Sequence, residues 1–65
     1  MTEKKKERLI SRAVSMGYSQ KRAVELADLF LNYGGLGACL AEPNEFSFLD
    51  GKTNFVDVLL AENML

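Results

Sequence analysis

The sequence contains no histidine and only one cysteine, Cys39, among its 65 residues. Histidine is the commonest general base and metal ligand, and a cysteine nucleophile usually needs a histidine beside it. Glu42 and Glu45 stand close together, but such pairs in a polar loop are typical of a solvated surface. These absences predict a protein that is not an enzyme and that holds neither a metal ion nor a cofactor. Cys39 itself lies in an apolar run and is expected to be a buried, structural residue.

With a single cysteine the chain cannot form an internal disulfide, the usual staple of small secreted domains. No apolar run approaches the roughly 20 residues that a membrane span needs. The lysine-rich start, Lys4 to Lys6, leads into a mixed segment and not into the apolar core of a signal peptide. We therefore expect a soluble, cytoplasmic protein that makes no contact with a membrane.

The composition is otherwise that of a globular protein, with 48% hydrophobic and 26% charged residues. A chain of 65 residues forms one domain at most, here residues 1–65, and buries only about 60% of the surface that its unfolded form exposes. Some of the apolar material is therefore expected to remain on the surface for a partner.

The N-terminal half predicts two helices joined by a defined turn. A first helix over about residues 3–16 follows from apolar residues at helical spacing, namely Leu9, Ile10, Ala13 and Val14. Gly17 suits the left-handed conformation that ends many helices, and Ser19 is a favourable N-cap for the next helix. The second helix, over about residues 20–33, is apolar around more than half of its circumference, which predicts that it is the central element, packed on both flanks.

After this helix the pattern is weaker. Gly34 and Gly35 predict its end, and the apolar run at 36–41 predicts one or two further turns of helix. Asn54 followed by Asp57 resembles a capping pair and predicts a terminal helix over about 54–64. A short hairpin over 46–56, turning at Asp50–Gly51, is the local alternative. The fold class is therefore an all-α compact bundle of three to four short helices.

The charges are distributed unevenly along the chain. Residues 1–22 hold seven of the eight basic residues and carry +5, whereas residues 23–65 hold seven of the nine acidic residues and carry −6. The two halves either compensate each other in the fold or present a basic end to an anionic partner. The second case gives the alternative function, a nucleic-acid-associated protein that binds phosphates through the basic face of helix 1 and its neighbours, namely Lys4, Lys5, Arg8, Arg12, Lys21 and Arg22. The acidic balance, with a pI near 5.3, makes nucleic acid the less favoured partner.

A local resemblance comes from residues 10–27. An apolar helix is followed by Met16, Gly17 and Tyr18, then by Ser19 and a second helix with Ala23. This segment resembles the first two helices of ubiquitin-associated (UBA-like) domains, which are small three-helix modules. The resemblance implies that the Met16–Gly17–Tyr18 loop is a partner-binding edge.

The remaining residues also favour a protein partner. Tyr18 and Tyr33 combine an apolar ring with a hydroxyl that reaches water. The terminal helix is apolar around almost its whole circumference, which predicts a homodimer seam or a docking surface for a partner helix at Leu59, Leu60 and Met64. The competing interpretation is that this helix folds back and is fully internal. We conclude that the sequence predicts a non-catalytic protein–protein interaction module, acting as an inhibitor, adaptor or regulatory subunit.

Overall fold

The computed structural model describes residues 2–48 and 51–65, and these residues contain three α-helices. Helix α1 spans Thr2–Ser15, α2 spans Gln20–Ala41 and α3 spans Phe55–Ala61. No strand occurs in these residues, so the predicted all-α bundle is confirmed. The hairpin alternative is not formed in its described residues, and two of its members, Leu49 and Asp50, lie outside them.

The turn between α1 and α2 has the geometry that its residues predict. Gly17 has a φ of 112°, and its N–H donates to the carbonyl of Val14 over 3.1 Å. The Tyr18 N–H donates to the carbonyl of Ala13 over 3.0 Å, which completes a Schellman motif. The Ser19 hydroxyl then accepts a hydrogen bond from the backbone N–H of Arg22, so the predicted N-cap is also confirmed.

Helix α2 changes direction at Gly34, whose φ of 73° and ψ of −170° leave the helical region. Two helical arms meet there, and they correspond to the predicted helices over 20–33 and 36–41. Glycine adopts a positive φ without the steric penalty that a Cβ brings. The interruption is one residue long, so the second arm begins almost immediately after the first.

Helix α3 begins with the predicted capping box. The Asn54 side chain accepts from the Val56 N–H, and the Asp57 carboxylate accepts from the Asn54 N–H over 3.1 Å. The helix ends at Ala61, three residues before the predicted end, because Asn63 has a φ of 56°. A second Schellman motif forms there, with the Met64 N–H donating to the Leu59 carbonyl over 2.8 Å.

The segment between α2 and α3 is held to the bundle by its backbone and by Phe46. The Phe55 N–H donates to the Glu45 carbonyl over 2.8 Å, and the Asn54 amide donates to the Ser47 carbonyl. The Phe46 ring is buried 5.3 Å from Phe55 and is stacked 6.4 Å from Phe30. This loop therefore supplies part of the core, although it has no regular structure.

The core lies between α1 and the other two helices. Its buried apolar residues are Leu9, Ala13, Ala23, Leu26, Ala27, Ala38, Phe46, Phe55, Val56, Val58 and Leu59. Helix α1, and not α2, packs extensively against both of the other helices. The prediction that the second helix is central was therefore wrong: Phe46 covers part of its apolar circumference, and another part stays exposed to solvent.

Candidate partner-binding surface

Part of the exposed surface of α2 is formed by large apolar side chains beside and beyond the Gly34 bend. Tyr33 is 68% exposed, and Leu36 and Leu40 are each 77% exposed. We call these three residues the α2 apolar face. Isolated apolar residues are common on protein surfaces, but neighbouring ones at this exposure mark a surface that a partner can cover.

The geometry of the second arm explains why this face points outward. Ala38 is fully buried, and Leu36 and Leu40 are two residues before and after it. At about 100° of rotation per residue, both leucines lie on the side of the helix opposite Ala38. They are also four residues apart, so their side chains are neighbours on that side.

Tyr33 joins this face across the bend because Gly37 leaves room for it. A Cβ added at Gly37 would lie 2.6 Å from the Cβ of Tyr33, closer than such atoms approach each other in proteins. The tyrosine side chain therefore begins directly against the backbone of the second arm, at the residue that follows Leu36. Only a glycine at position 37 permits this arrangement.

Of the residues predicted to bind a partner, Tyr33 lies on this face, whereas Leu36 and Leu40 were not predicted. The sequence does contain a signal for them, because the 13 residues from Leu29 to Ala41 include no charged side chain. A one-turn helix gives no reliable periodicity, so the sequence could not show which of these residues face solvent.

The Met16–Gly17–Tyr18 loop forms a separate, smaller site. It lines a depression of about 230 Å³ together with Glu45 and Thr53. Met16 and Tyr18 are half-buried and pack against the core, and Gly17 is exposed. The structure thus brings together all three loop residues that the UBA-like resemblance implies, but Met16 and Tyr18 also serve the fold.

Tyr18 is held in this loop by aromatic packing and by a carboxylate. Its ring meets Phe55 edge-on with the ring centroids 5.9 Å apart. Burial raises the pKa of the Tyr18 hydroxyl well above its usual value of about 10, and the adjacent carboxylate of Glu45 raises this pKa further. One oxygen of Glu45, Oε2, is buried and has no hydrogen-bond partner among the residues that the structure describes.

Most of the apolar surface of the terminal helix is internal, which contradicts the part of the predicted seam that rests on Leu59. Leu59 is 1% exposed and belongs to the core, as do Phe55, Val56 and Val58. Leu59 is therefore unavailable to a partner. For most of the apolar surface of this helix, the competing interpretation is correct: the helix folds back into the bundle. Leu60 is about half-exposed.

Met64 is partly buried and lines a depression of about 640 Å³. This depression lies where α1 and the middle of α2 meet the residues after α3, with an apolar floor that includes Phe30 and Leu31. Lys5 and Arg8 also line it. Met64 therefore lines a groove and does not lie on an exposed seam, as was predicted for it.

Half of the predicted nucleic-acid contacts are engaged within the chain. Arg8 and Arg12 both bind the carboxylate of Glu62, at 3.0 and 3.1 Å. Arg22 binds Glu25 at 3.2 Å and also binds Glu42. These pairs join the basic N-terminal part to acidic residues, as the compensation interpretation predicted.

The other three predicted contacts are exposed. Lys4, Lys5 and Lys21 form no ion pair with any residue that the structure describes. Lys6, which was not among the predicted contacts, binds Asp28 at 2.6 Å. Three separate lysines are a weaker phosphate-binding set than the six basic residues counted in the sequence.

Cys39 is half-buried, and its thiol donates a hydrogen bond to the carbonyl of Phe46. It therefore fastens the loop to the second arm of α2, which is a structural role. Within residues 2–48 and 51–65, no three histidine, cysteine, aspartate or glutamate side chains are grouped so that they could hold a metal ion. No helix in this part of the chain is long and apolar enough to cross a membrane.

Comparison with known proteins finds no matching family model, no similar curated protein and no similar solved structure. The UBA-like resemblance of residues 10–27 therefore remains a prediction from the loop residues alone.

Proposed function

We propose that this chain is a non-catalytic protein–protein interaction module whose contact surface is the α2 apolar face. The observation that carries the proposal is the exposure of Tyr33, Leu36 and Leu40 around the Gly34 bend, within a 13-residue stretch, Leu29 to Ala41, that has no charged residue. The chain acts by occupying a partner's surface, as an adaptor, inhibitor or regulatory subunit does.

The size of the face supports this function. Tyrosine and leucine side chains at these exposures present about 400 Å² of apolar surface. The largest apolar patch on a typical monomer is about 300–600 Å², and here such a patch belongs to a molecule with only 4403 Å² of accessible surface. The patch is therefore about a tenth of the surface, which is the share that a specific interface usually takes from a small protein.

The location of the face also supports it. The second arm is connected to the bundle through Ala38 and Cys39 on its inner side. Leu36 and Leu40 contribute nothing to the core from the opposite side, so the stability of the domain does not explain their apolar character. Binding explains it.

The test places a photo-activated cross-linker at position 40 and, as the matched control, at Val14, which is 41% exposed on α1. In extract of the source organism we expect a protein adduct from position 40 and none from position 14. The position-40 adduct should disappear when Leu36→Lys is added. Equal labelling from both positions, or an adduct indifferent to Leu36→Lys, would contradict the proposal.

A further inference from the structure

We infer that the groove lined by Met64 is a binding site for a small carboxylate that carries an apolar body. This groove, the Met64 groove, is the depression of about 640 Å³ between α1, the middle of α2 and the residues after α3. No residue of the α2 apolar face lines it. The inference therefore goes beyond the proposed function and does not depend on it.

The size and the walls of the Met64 groove suit a ligand with two different ends. Small-molecule sites in proteins occupy about 300–1,000 Å³ and combine apolar walls with polar groups that orient the ligand. Phe30, Leu31 and Met64 pack against the core on one side, and their remaining surface lines the groove. Methionine is flexible, so its side chain can follow the shape of an apolar ligand. The other wall is charged.

The charged side chains favour an anion over a cation. Lys5 and Arg8 line the groove together with one carboxylate, that of Glu62, so the lining has two positive charges and one negative charge. Both oxygens of Glu62 already accept hydrogen bonds, from the Nε atoms of Arg8 and Arg12 at 3.0 and 3.1 Å. This carboxylate is therefore compensated on both sides and offers little to a cationic ligand.

Two cationic groups are left to bind the carboxylate of the ligand. Lys5 is exposed and forms no ion pair within the described part of the chain. Among the described residues Arg8 binds Glu62 through Nε only, so its two Nη groups can donate to a further acceptor. Both cations form charge-assisted hydrogen bonds with a carboxylate. A neutral apolar molecule would leave these cations without a partner, and a small inorganic anion would leave the apolar wall exposed to water.

The experiment is a nuclear magnetic resonance titration of the purified chain with octanoate at about pH 7, where a carboxylate is ionised. We expect saturable shifts of the Leu31 and Met64 signals, with a dissociation constant of about 0.1–1 mM, and no shifts at Leu36 and Leu40. Octylammonium has the same chain with the opposite charge, and acetate has the same carboxylate without the chain. Each should bind at least about tenfold more weakly than octanoate.

Two matched lysine variants test the position of the carboxylate. Lys5→Gln should raise the dissociation constant for octanoate about three- to fivefold, because it removes a solvent-exposed charge partner. Lys21→Gln is the control, since Lys21 is also exposed but does not line the groove, and it should leave octanoate binding unchanged. Met64→Gln keeps the length of the side chain and should weaken the binding of octanoate through the apolar wall.

Four outcomes would overturn the inference. They are the absence of saturable shifts in the groove up to about 20 mM octanoate, equally tight binding of octylammonium, an equal effect of the two lysine variants, and shifts at Leu36 and Leu40 in place of the groove. The cross-linking experiment at position 40 concerns a different surface, so the failure of this inference and the failure of the proposed function are distinguishable.

Discussion

Asn54 is the polar side chain on which the C-terminal part of the fold depends most. The residue is 2% exposed and makes three hydrogen bonds at the junction of the loop and α3, two through its side chain and one through its backbone N–H. Its side-chain oxygen accepts from the Val56 N–H, its amide donates to the Ser47 carbonyl, and its own N–H donates to Asp57. We predict that Asn54→Ala destabilises the domain more than any other single polar truncation in this region.

The magnitude follows from two separate losses. Removing an N-cap costs about 1 kcal/mol. Leaving the partly buried Ser47 carbonyl without its donor costs about 1–3 kcal/mol more. The expected loss is about 2–4 kcal/mol in total, in a domain whose whole stability is on the order of 3–10 kcal/mol. At about 4–8 °C per kcal/mol for a domain of this size, Tm falls by at least about 8 °C.

Asn54→Ser separates the two losses. Serine keeps an oxygen that can cap α3, but it is too short to reach the Ser47 carbonyl, so only the second loss remains. We expect a destabilisation of about 1–3 kcal/mol for Asn54→Ser, smaller than that of Asn54→Ala in the same preparation. Urea unfolding followed by circular dichroism measures both. An Asn54→Ala variant within about 0.5 kcal/mol of the native chain would refute the reasoning.

Three further predictions concern single side chains. Gly37→Ala should lower Tm, because the alanine Cβ would lie 2.6 Å from the Cβ of Tyr33. This clash should outweigh the helix propensity of alanine, which is better than that of glycine by about 1 kcal/mol. An increase in Tm in a thermal scan would contradict this prediction. Leu59→Asp should unfold the domain and Leu60→Asp should leave it folded, since only Leu59 is buried; matched circular dichroism spectra would contradict the assigned burial. Stability should fall above about pH 10 because the pKa of Tyr18 is raised in the folded state, so the folded chain retains a proton that the unfolded chain has lost. Tyr18→Phe should reduce this loss of stability when the free energy of unfolding is measured by urea titration between pH 8 and 11. An unchanged pH dependence would mean that other groups cause the loss.

Local chemistry predicted the helix ends because each end depends on a few adjacent residues. Gly17 and Ser19 define one junction, and Asn54 with Asp57 defines another, in both cases through backbone conformation and short-range hydrogen bonds. The end of α3 was placed too late because Asn63, a residue that also occurs within helices, here adopts a positive φ. Asparagine tolerates that conformation better than most residues, but its presence alone does not require it.

Packing partners were predicted less well because they depend on residues that are distant in sequence. The terminal helix was equally consistent with an exposed seam and an internal helix, since its composition is apolar on all sides. Two features that are distant in sequence decide between them: α1 packs against α3, and Arg8 and Arg12 of α1 bind Glu62 just after α3. Neither contact has a signature in the order of residues along the chain.

The location of the α2 apolar face could not be predicted for the same reason, because it depends on packing between segments. A chain of 65 residues has too little protein to cover every apolar residue that it contains, and the sequence correctly predicts that some remain exposed. The packing of the core determines which apolar residues remain exposed. Once α3 and Phe46 have filled the interior, Ala38 and Cys39 are enough to anchor the second arm of α2. Leu36 and Leu40 are then left outside, on the one long segment of the chain that carries no charge. The internal position of the terminal helix and the exposure of the α2 apolar face are therefore two consequences of one packing choice.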